Sequence, residues 1–521
     1  MSALRVVIAN DSRIRFGRSR AHAEAVEGML SSGDMVRKPH SDVEDLLDAK
    51  GREWARLMYE EHLSLRAELE AKTEVVGADG VARGSTRGSA RHLESVLGRV
   101  EVPRLAYQAA GSTDLHPMDA ALNLPREMYS HGVRRMVAKE AARASFDEVV
   151  EIVRDYTGST IGKRQVEELA VRASQDFDAF YEARATERDP KEDLLIISTD
   201  GKGVVMRHED LREGTRRAAE KSERKLQTRL TPGEKSNRKR MAQVATVYSI
   251  APFPRSAADI VHTLRDASEV DAKRPRPTDK RVWASVEKSQ RSVIREAFSE
   301  GLRRDPDKRR RWVVLVDGEG KQLRAVKAEA RRAGVKVTIL VDIVHVLEYI
   351  WGAARALFGQ SNAKAEKWVS DRLLALLTGR SGGEVAQTIR WWAARHKEPE
   401  LGEAELRAID KACGYLSDRT RTRLMHYQQA LQDGLPIATG VIEGACRYLV
   451  KDRMERTGAR WSLTGAEAVL RLRAVRASGD FDAYWHFHLE REQERNHSSR
   501  YEDGKVPDPL PPQKAKLRRV K

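Results

Sequence analysis

Between residues 194 and 341 the hydrophobic period of the chain changes from that of helices to that of strands. Leu194-Leu-Ile-Ile-Ser is a short apolar run of the kind that is buried on both faces of a sheet. Gly203-Val-Val-Met-Arg-His follows closely enough to be its hairpin partner, and Met241 to Ile250 makes a third strand. The pattern then predicts a helix from about Val282 to Arg304, a strand at 312–316, a helix from Gln322 to Ala333 and a strand at 335–341. The order is β-β-β-α-β-α-β, which sets an α/β fold class for this third of the chain.

Two of these strands end in Asp-Gly, at Asp200 and at Asp317. For either pair alone a simple turn is the better reading. Two such ends in one sheet shift the balance, because open α/β sheets carry their sites where strands end. A third carboxylate, Glu443, lies in Gly440-Val-Ile-Glu-Gly-Ala-Cys-Arg, early in a helix that Thr439 would cap. Ile442, Ala445, Cys446 and Leu449 form the apolar stripe of that helix, and Glu443 borders it. Arg447 and Lys451 follow at helical spacing, placed to pair with Glu443 or to meet a phosphate backbone.

The element order is that of a ribonuclease-H-like domain, in which the first strand carries one carboxylate, the fourth ends in the second and a late helix brings the third. Carboxylates that converge from separate segments suit two hard divalent cations, Mg²⁺ or Mn²⁺, so Asp200, Asp317 and Glu443 are the expected catalytic and metal-holding residues. Glu319 and Asp342 stand near enough in sequence to compete with Asp317. Asp342 and His345, three apart, are expected to share a first helical turn and to support the site by hydrogen bonding. Asp317-Gly-Glu-Gly-Lys-Gln lacks the spacing of a phosphate loop, which disfavours nucleotide hydrolysis.

Charge points to the partner. Across 521 residues Lys and Arg number 94 against 78 Asp and Glu, a formal net charge of +16, and the sequence pI is about 9.7. Such a surplus favours a polyanion, nucleic acid first. No window approaches the ~20 apolar residues of a membrane span, so no membrane partner is expected. With Cys413 and Cys446 the only cysteines, neither a disulfide framework nor a four-thiolate zinc site is available, and a reduced, cytoplasmic, nucleoid-associated protein is expected. The histidines His486, His488 and His497 lack matching Cys or acidic spacing and are assigned to surface or packing roles. Between strands two and three, residues 212–240 carry eleven basic residues against four acidic ones. Arg229, Lys235, Arg238, Lys239 and Arg240 are its candidates for DNA contact, and a solvated charged face is an equal reading of the run.

The rest of the chain reads mainly as helix. Residues 1–125 form a helical and β region with a glycine-dense loop at 77–88 and a short β-like piece from Gly98. Residues 126–190 hold a candidate helix-turn-helix: Ser145-Phe-Asp-Glu opens one helix like a capping box, Thr157-Gly-Ser-Thr-Ile-Gly breaks it, and a second helix runs from Lys163. An ordinary helical hairpin is the commoner use of such a pattern. The catalytic core occupies 191–346, a large all-helical insertion 347–436, the last core helices 437–480 and a tail 481–521 whose end is rich in Pro, Lys and Arg.

Four blocks carry a specific resemblance: Ser198-Thr-Asp-Gly-Lys-Gly-Val-Val-Met, Leu230-Thr-Pro-Gly-Glu-Lys-Ser-Asn-Arg-Lys-Arg-Met-Ala, Gly440-Val-Ile-Glu-Gly-Ala-Cys-Arg-Tyr-Leu-Val-Lys-Asp-Arg-Met and Gly458-Ala-Arg-Trp-Ser-Leu-Thr-Gly-Ala-Glu-Ala-Val-Leu-Arg-Leu-Arg. From about Leu97 to Tyr501 the chain resembles the ISKra-type transposases of bacterial insertion sequences. Asp342 and His345 also resemble the Cys/Asp-x2-His signature of Mutator-like transposases. The resemblance implies a DDE site at Asp200, Asp317 and Glu443, double-stranded DNA as partner, both as transposon terminal inverted repeats and as target, and a homodimer or higher oligomer. It implies metal-dependent cleavage at the element's ends followed by strand transfer. A catalytically silent DNA-binding derivative, or a nuclease or resolvase of the same fold, are the alternatives. The N-terminal cysteine motif of some relatives has no counterpart in this chain.

Overall fold

The computed structural model describes residues 15–184, 194–221, 237–265, 274–360, 362–395, 401–438 and 440–510. The chain forms two compact units, Met1–Glu182 with Phe481–Lys521, and Ala183–Asp480. No described helix is long and apolar enough to cross a membrane.

The first unit opens with helices α1 (Gly17–Leu30) and α2 (His40–Glu68), followed by a two-stranded antiparallel hairpin of β1 (Ser85–Ser95) and β2 (Gly98–Gln108). The sequence suggests β2 alone. Strand β1 is mostly exposed, with Ser, Gly and Ala among its residues, so it carries little apolar signal and its start reads as loop. Three helices follow, α3 (His131–Ala141), α4 (Phe146–Thr157) and α5 (Lys163–Ala173), then the short α6 (Phe177–Ala183). The capping box at Ser145 is present as expected, with Ser145 and Glu148 each accepting from the other's backbone N–H. Gly158 ends α4 at φ 67°, where a residue with a Cβ would be strained.

At the centre of this unit a buried ionic network ties α3 and the residues after α5 to the helix Phe481–Asn496. Arg134, fully buried, donates to Glu492 at 2.5 Å and to His488 Nε2 at 3.3 Å. His488 Nδ1 donates in turn to Asp176 at 2.7 Å, and Arg495 also reaches Asp176. Burial works against the Glu492 charge, but Arg134 more than reverses this and holds the carboxyl below its usual range. Burial and then the Arg134 cation push His131 down to about 4. His488 and His497 are thus packing residues with hydrogen-bond partners, and His486 is an exposed residue beside Glu490.

The second unit is built on a five-stranded mixed sheet of β3 (Leu194–Val205), β4 (Lys239–Ile250), β5 (Thr278–Ser285), β6 (Arg311–Val316) and β7 (Val337–Val341), in spatial order β5-β4-β3-β6-β7. β3, β4 and β5 pair antiparallel, whereas β6 and β7 extend the sheet with parallel pairing. The intervening helices are α7 (Glu213–Glu220), α8 (Ala257–Arg265), α9 (Gln290–Arg304) and α10 (Gly320–Ala333).

The unit has five strands, the number expected, but helices α7 and α8 separate the first three of them and two strand assignments differ. Residues 194–198 and 203–205 are one continuous strand, not a hairpin. Asp200-Gly201 makes no turn there: every residue of β3 keeps its register partner on β4, from Leu194–Ile250 to Val205–Lys239. The glycines serve side-chain clearance instead, since a Cβ at Gly203 would lie 2.8 Å from Lys239 Cδ. The third strand of the hairpin series is β5, part of which had been assigned to a helix from Val282. The helix begins only at Ser289, whose hydroxyl caps it by accepting from Ser292 N.

Period-2 geometry assigns the two faces of the sheet. Leu195 and its register partner Trp312 meet α9 at Gly301, where a Cβ would come within 2.4 Å of the Trp312 ring and 3.2 Å of Leu195 Cδ2. Gly301→Ala should therefore destabilise the second unit by ~1–2 kcal/mol. The gain in helix propensity is about 1 kcal/mol, and overpacking a closed core costs about 1–3 kcal/mol. Denaturant titration followed by Trp fluorescence reads the change.

After β7 come five helices: α11 (Ile343–Phe358), α12 (Ala363–Leu377), α13 (Gly382–Ala394), α14 (Glu403–Arg421) and the short α15 (Tyr427–Gln432). Helix α16 (Gly440–Ala445) follows and widens into a π-helical stretch, Cys446–Lys451. Arg473, on the last helix of the unit, α17 (Leu463–Ala477), donates to the carbonyls of Tyr448 and Leu449 within this stretch. It thus satisfies acceptors that the irregular turn would leave short of partners.

Candidate active site

Asp200 lies inside β3, at a place where the sheet changes. The parallel ladder with β6 stops at Ser198–Leu315, while the antiparallel ladder with β4 runs on through Asp200–Val244. The carboxylate therefore stands beside the end of β6, and Asp317 is the first residue after that strand. Asp200 Oδ1 accepts from Gly201 N at 2.6 Å. Its Oδ2 accepts from Cys446 Sγ at 3.2 Å, which places the π-helical stretch on the Asp200 face of the sheet, opposite α9.

Asp317 is half-buried. Its Oδ1 accepts from Glu319 N at 2.7 Å, and its carbonyl accepts from the Tyr415 hydroxyl at 2.8 Å. Burial raises its carboxyl above the usual range, and the charges of Asp200 and Glu319 add to this, with the Glu319 N–H and His345 pulling the other way. Gly318 follows at φ 90°, and a Cβ there would lie 2.7 Å from Arg419 Nε, so glycine serves both the turn and the close approach of α14.

Glu443 is solvent-facing on α16. Partial burial raises its carboxyl too, followed by the charges of Asp342, Glu348 and Asp200, with His345 again opposing. Asp200 thus acts on both Asp317 and Glu443, each more than a hundred residues away in sequence. The two competitors of Asp317 are otherwise engaged. Glu319 is exposed and accepts from Gln290 at 3.1 Å. Asp342 is buried and caps α11, accepting from Val344 N at 2.7 Å. His345 lies 3.4 Å from Glu348 and faces the cluster.

Gln322 on α10 donates to both oxygens of Thr199, at 2.7 and 3.1 Å, fixing the strand beside Asp200. Cys446, Gln322 and Tyr415 were not singled out by sequence reasoning. Only Cys446 carried a signal, being one helical turn beyond Glu443.

The basic candidates distribute differently. Arg240 is committed to the fold: it donates to the carbonyls of Val286 at 2.7 Å and Asp210 at 3.1 Å. Arg238 and Lys239 are exposed at the start of β4, with Lys239 3.5 Å from Glu455. Lys239 lies five register steps from the Asp200 partner, roughly 17 Å along the ladder. Arg447 does not pair with Glu443 but stands 3.9 Å from Asp452, because the π-helical stretch shifts the helical phase after Ala445. Lys451, at the end of that stretch, is exposed. Arg229, Lys235 and Thr439 lie outside the described residues.

A cleft of about 630 Å³ opens beside Asp317, Glu319, His345 and Glu348. Its far wall is cationic and aromatic. Tyr349 and Tyr415 stack with ring centroids 3.9 Å apart, Lys411 lies over the first ring and Arg419 over the second. Among the described residues no three His, Cys, Asp or Glu side chains are gathered closely enough to hold a metal ion. The donor chemistry fits a hard divalent cation all the same: carboxylate oxygens, two of them on groups whose ionised form is disfavoured by burial and by the charge of Asp200 among others. Comparison with protein-family models and with curated proteins finds no match for this chain.

The raised carboxyls make a prediction with a definite sign. A carboxyl whose pKa is higher in the folded than in the unfolded protein stabilises the fold below the unfolded value, and loses that contribution as pH rises through the folded value. At neutral pH, in chelator, Asp317→Asn should therefore raise the midpoint of the second unit's own transition, with roughly 2 °C as the scale once solvent screening is allowed for. The difference should shrink as pH falls towards the ordinary Asp range. Added Mg²⁺ should stabilise the wild type and not the variant, which differential scanning fluorimetry reads directly.

Proposed function

We propose that this protein is a DNA transposase of the DDE type, with a ribonuclease-H-like core in its second unit. The observation that carries the reading is that Asp200, on β3, acts electrostatically on both Asp317, just after β6, and Glu443, on α16, three carboxylates from distant segments. A first strand, the end of a fourth and a late helix are the positions from which such a core would draw them. The five helices α11–α15, between β7 and α16, lie where the sequence pattern suggests a helical insertion. The basic surplus of the chain, and Lys411 and Arg419 across the cleft from Asp317, supply the charge that a DNA backbone needs.

Asp200, Asp317 and Glu443 would hold Mg²⁺ or Mn²⁺. Bound there, the ions supply Lewis-acid stabilisation of the phosphoryl oxygens and lower the pKa of the attacking water. The chain's own part is positioning. Gln322 and Cys446 fix Asp200, the Tyr415 hydroxyl fixes the Asp317 carbonyl, and Asp342 sets the start of the helix that carries His345. In-line attack of water on a phosphodiester would release the 3′ end of the element, and that hydroxyl would then attack target DNA. Two ends have to be joined in one event, so the active species is proposed to be a dimer or larger.

The test is incubation of the purified protein with labelled DNA carrying the element's ends, in Mg²⁺ or in EDTA, with mapping of 3′ ends and joined products. Metal-dependent nicking and strand transfer are expected. Tight binding of the ends with neither product would overturn the reading.

A further inference from the structure

A second cavity in this unit, of about 1060 Å³, shares no lining residue with the cleft at Asp317. It is enclosed by the end of α11, by α12 and α13, and by the residues that lead into α14. Four cations line it, Arg355, Lys364, Lys367 and Arg372, against two acids, Asp371 and Glu405. Three aromatic rings line it as well. Phe358 meets Trp368 and Trp392 edge to face, each with centroids 5.8 Å apart, and the Arg372 guanidinium lies 4.4 Å from the Trp368 ring centre and 5.7 Å from that of Trp392.

Core packing accounts for Trp368, which is buried. It does not account for Trp392, 37 % exposed, or for its neighbour Trp391, 50 % exposed. Two buried donors on this wall, Trp368 Nε1 and Arg372 Nε, find no acceptor among the described residues. A cavity that combines an open indole, a surplus of cations and unused donors suits a ligand with a flat π face, an anionic group and exposed acceptors.

We propose that this cavity takes an unpaired nucleotide of a nucleic-acid strand, its base against Trp392 and its phosphate towards Lys364 and Lys367. A paired base is excluded, because its faces are already covered by its neighbours in the duplex. The proposal deepens the reading of the protein as one that acts on DNA and rests on it for the class of ligand. Its test reads binding alone, so a failure of cleavage leaves it standing.

The experiment is fluorescence anisotropy of the full chain in EDTA with labelled oligodeoxyuridine, oligouridine and a blunt duplex. Trp392→Ala should weaken single-strand binding about tenfold or more, the scale of one base–aromatic stack, and leave duplex binding unchanged. Trp392→Phe, which keeps a ring, should recover most of the loss, and this separates stacking from misfolding. Replacing Lys364 and Lys367 together by Ala should flatten the salt dependence of single-strand binding. Preference for one of the two single strands identifies the sugar, and either preference supports the site. Wild-type single-strand affinity in Trp392→Ala, or equal loss on single strand and duplex, would overturn it.

Discussion

Asp200→Ala is expected to lower metal-dependent cleavage of the element's ends by about 10³-fold or more. That is the scale of losing several kcal/mol of charge stabilisation in a phosphoryl-transfer transition state. Asp200 is the carboxylate whose charge acts on both of the others, so its loss removes the common member of the cluster. The fold should tolerate the change. The Oδ1 bond of Asp200 is to the next residue, and its other oxygen receives only a weak thiol donor. Asp200→Asn sharpens the result, because the amide oxygen still accepts from Cys446 while the charge is gone. Equal loss in the Ala and Asn variants, with unchanged duplex binding, assigns the effect to the charge; full activity in the Asn variant would remove Asp200 from the site.

The largest stability effect is expected in the first unit. Arg134→Met should destabilise the first unit by roughly 3–5 kcal/mol, because it leaves Glu492 charged, buried and short of its main partner. The penalty is mostly that of a buried carboxylate left with Arg495, Gln175 and Asn496 but without Arg134, and not the worth of the pair. The double variant Arg134→Met with Glu492→Gln should therefore recover a good part of the loss. In a chain of two units a single unfolding midpoint is not a defined quantity, so hydrogen exchange of α3 and of the helix Phe481–Asn496 is the better readout. Equal protection of those helices in wild type and Arg134→Met would contradict the assignment.

How much of this was legible in the sequence depended on whether a signal was local. The apolar runs of β3, β6 and β7 could be read because they are buried on both faces and bounded by polar residues. The continuation of β3 through Asp200-Gly201-Lys202-Gly203 could not, because two glycines in four residues are the ordinary mark of a turn. What overrides that local preference is β4, whose long side chains use the space the glycines leave. β5 was hidden by Arg281 and the polar residues after Ser285, which resemble the start of a helix. Yet Arg281 is buried against Glu300 at 2.5 Å, a long-range pair that no local pattern announces. In the candidate site, each carboxylate stood out by its position after or beside an apolar run. The companions did not: Tyr415, Arg419 and Lys411 lie on one face of a helix whose sequence reads only as amphipathic.

The π-helical stretch at Cys446–Lys451 gives one helical rod two independent angular settings. Upstream of it, Ile442, Ala445 and Glu443 sit on the α-helical turn over the sheet; within it and just after it, Leu449, Val450 and Met454 are buried on their own side. A regular α-helix would force one rotation on both halves, so turning the buried second half would turn Glu443 with it. The extra residue in the turn works as a clutch, letting the apolar half and the acidic half of the rod be set at different angles.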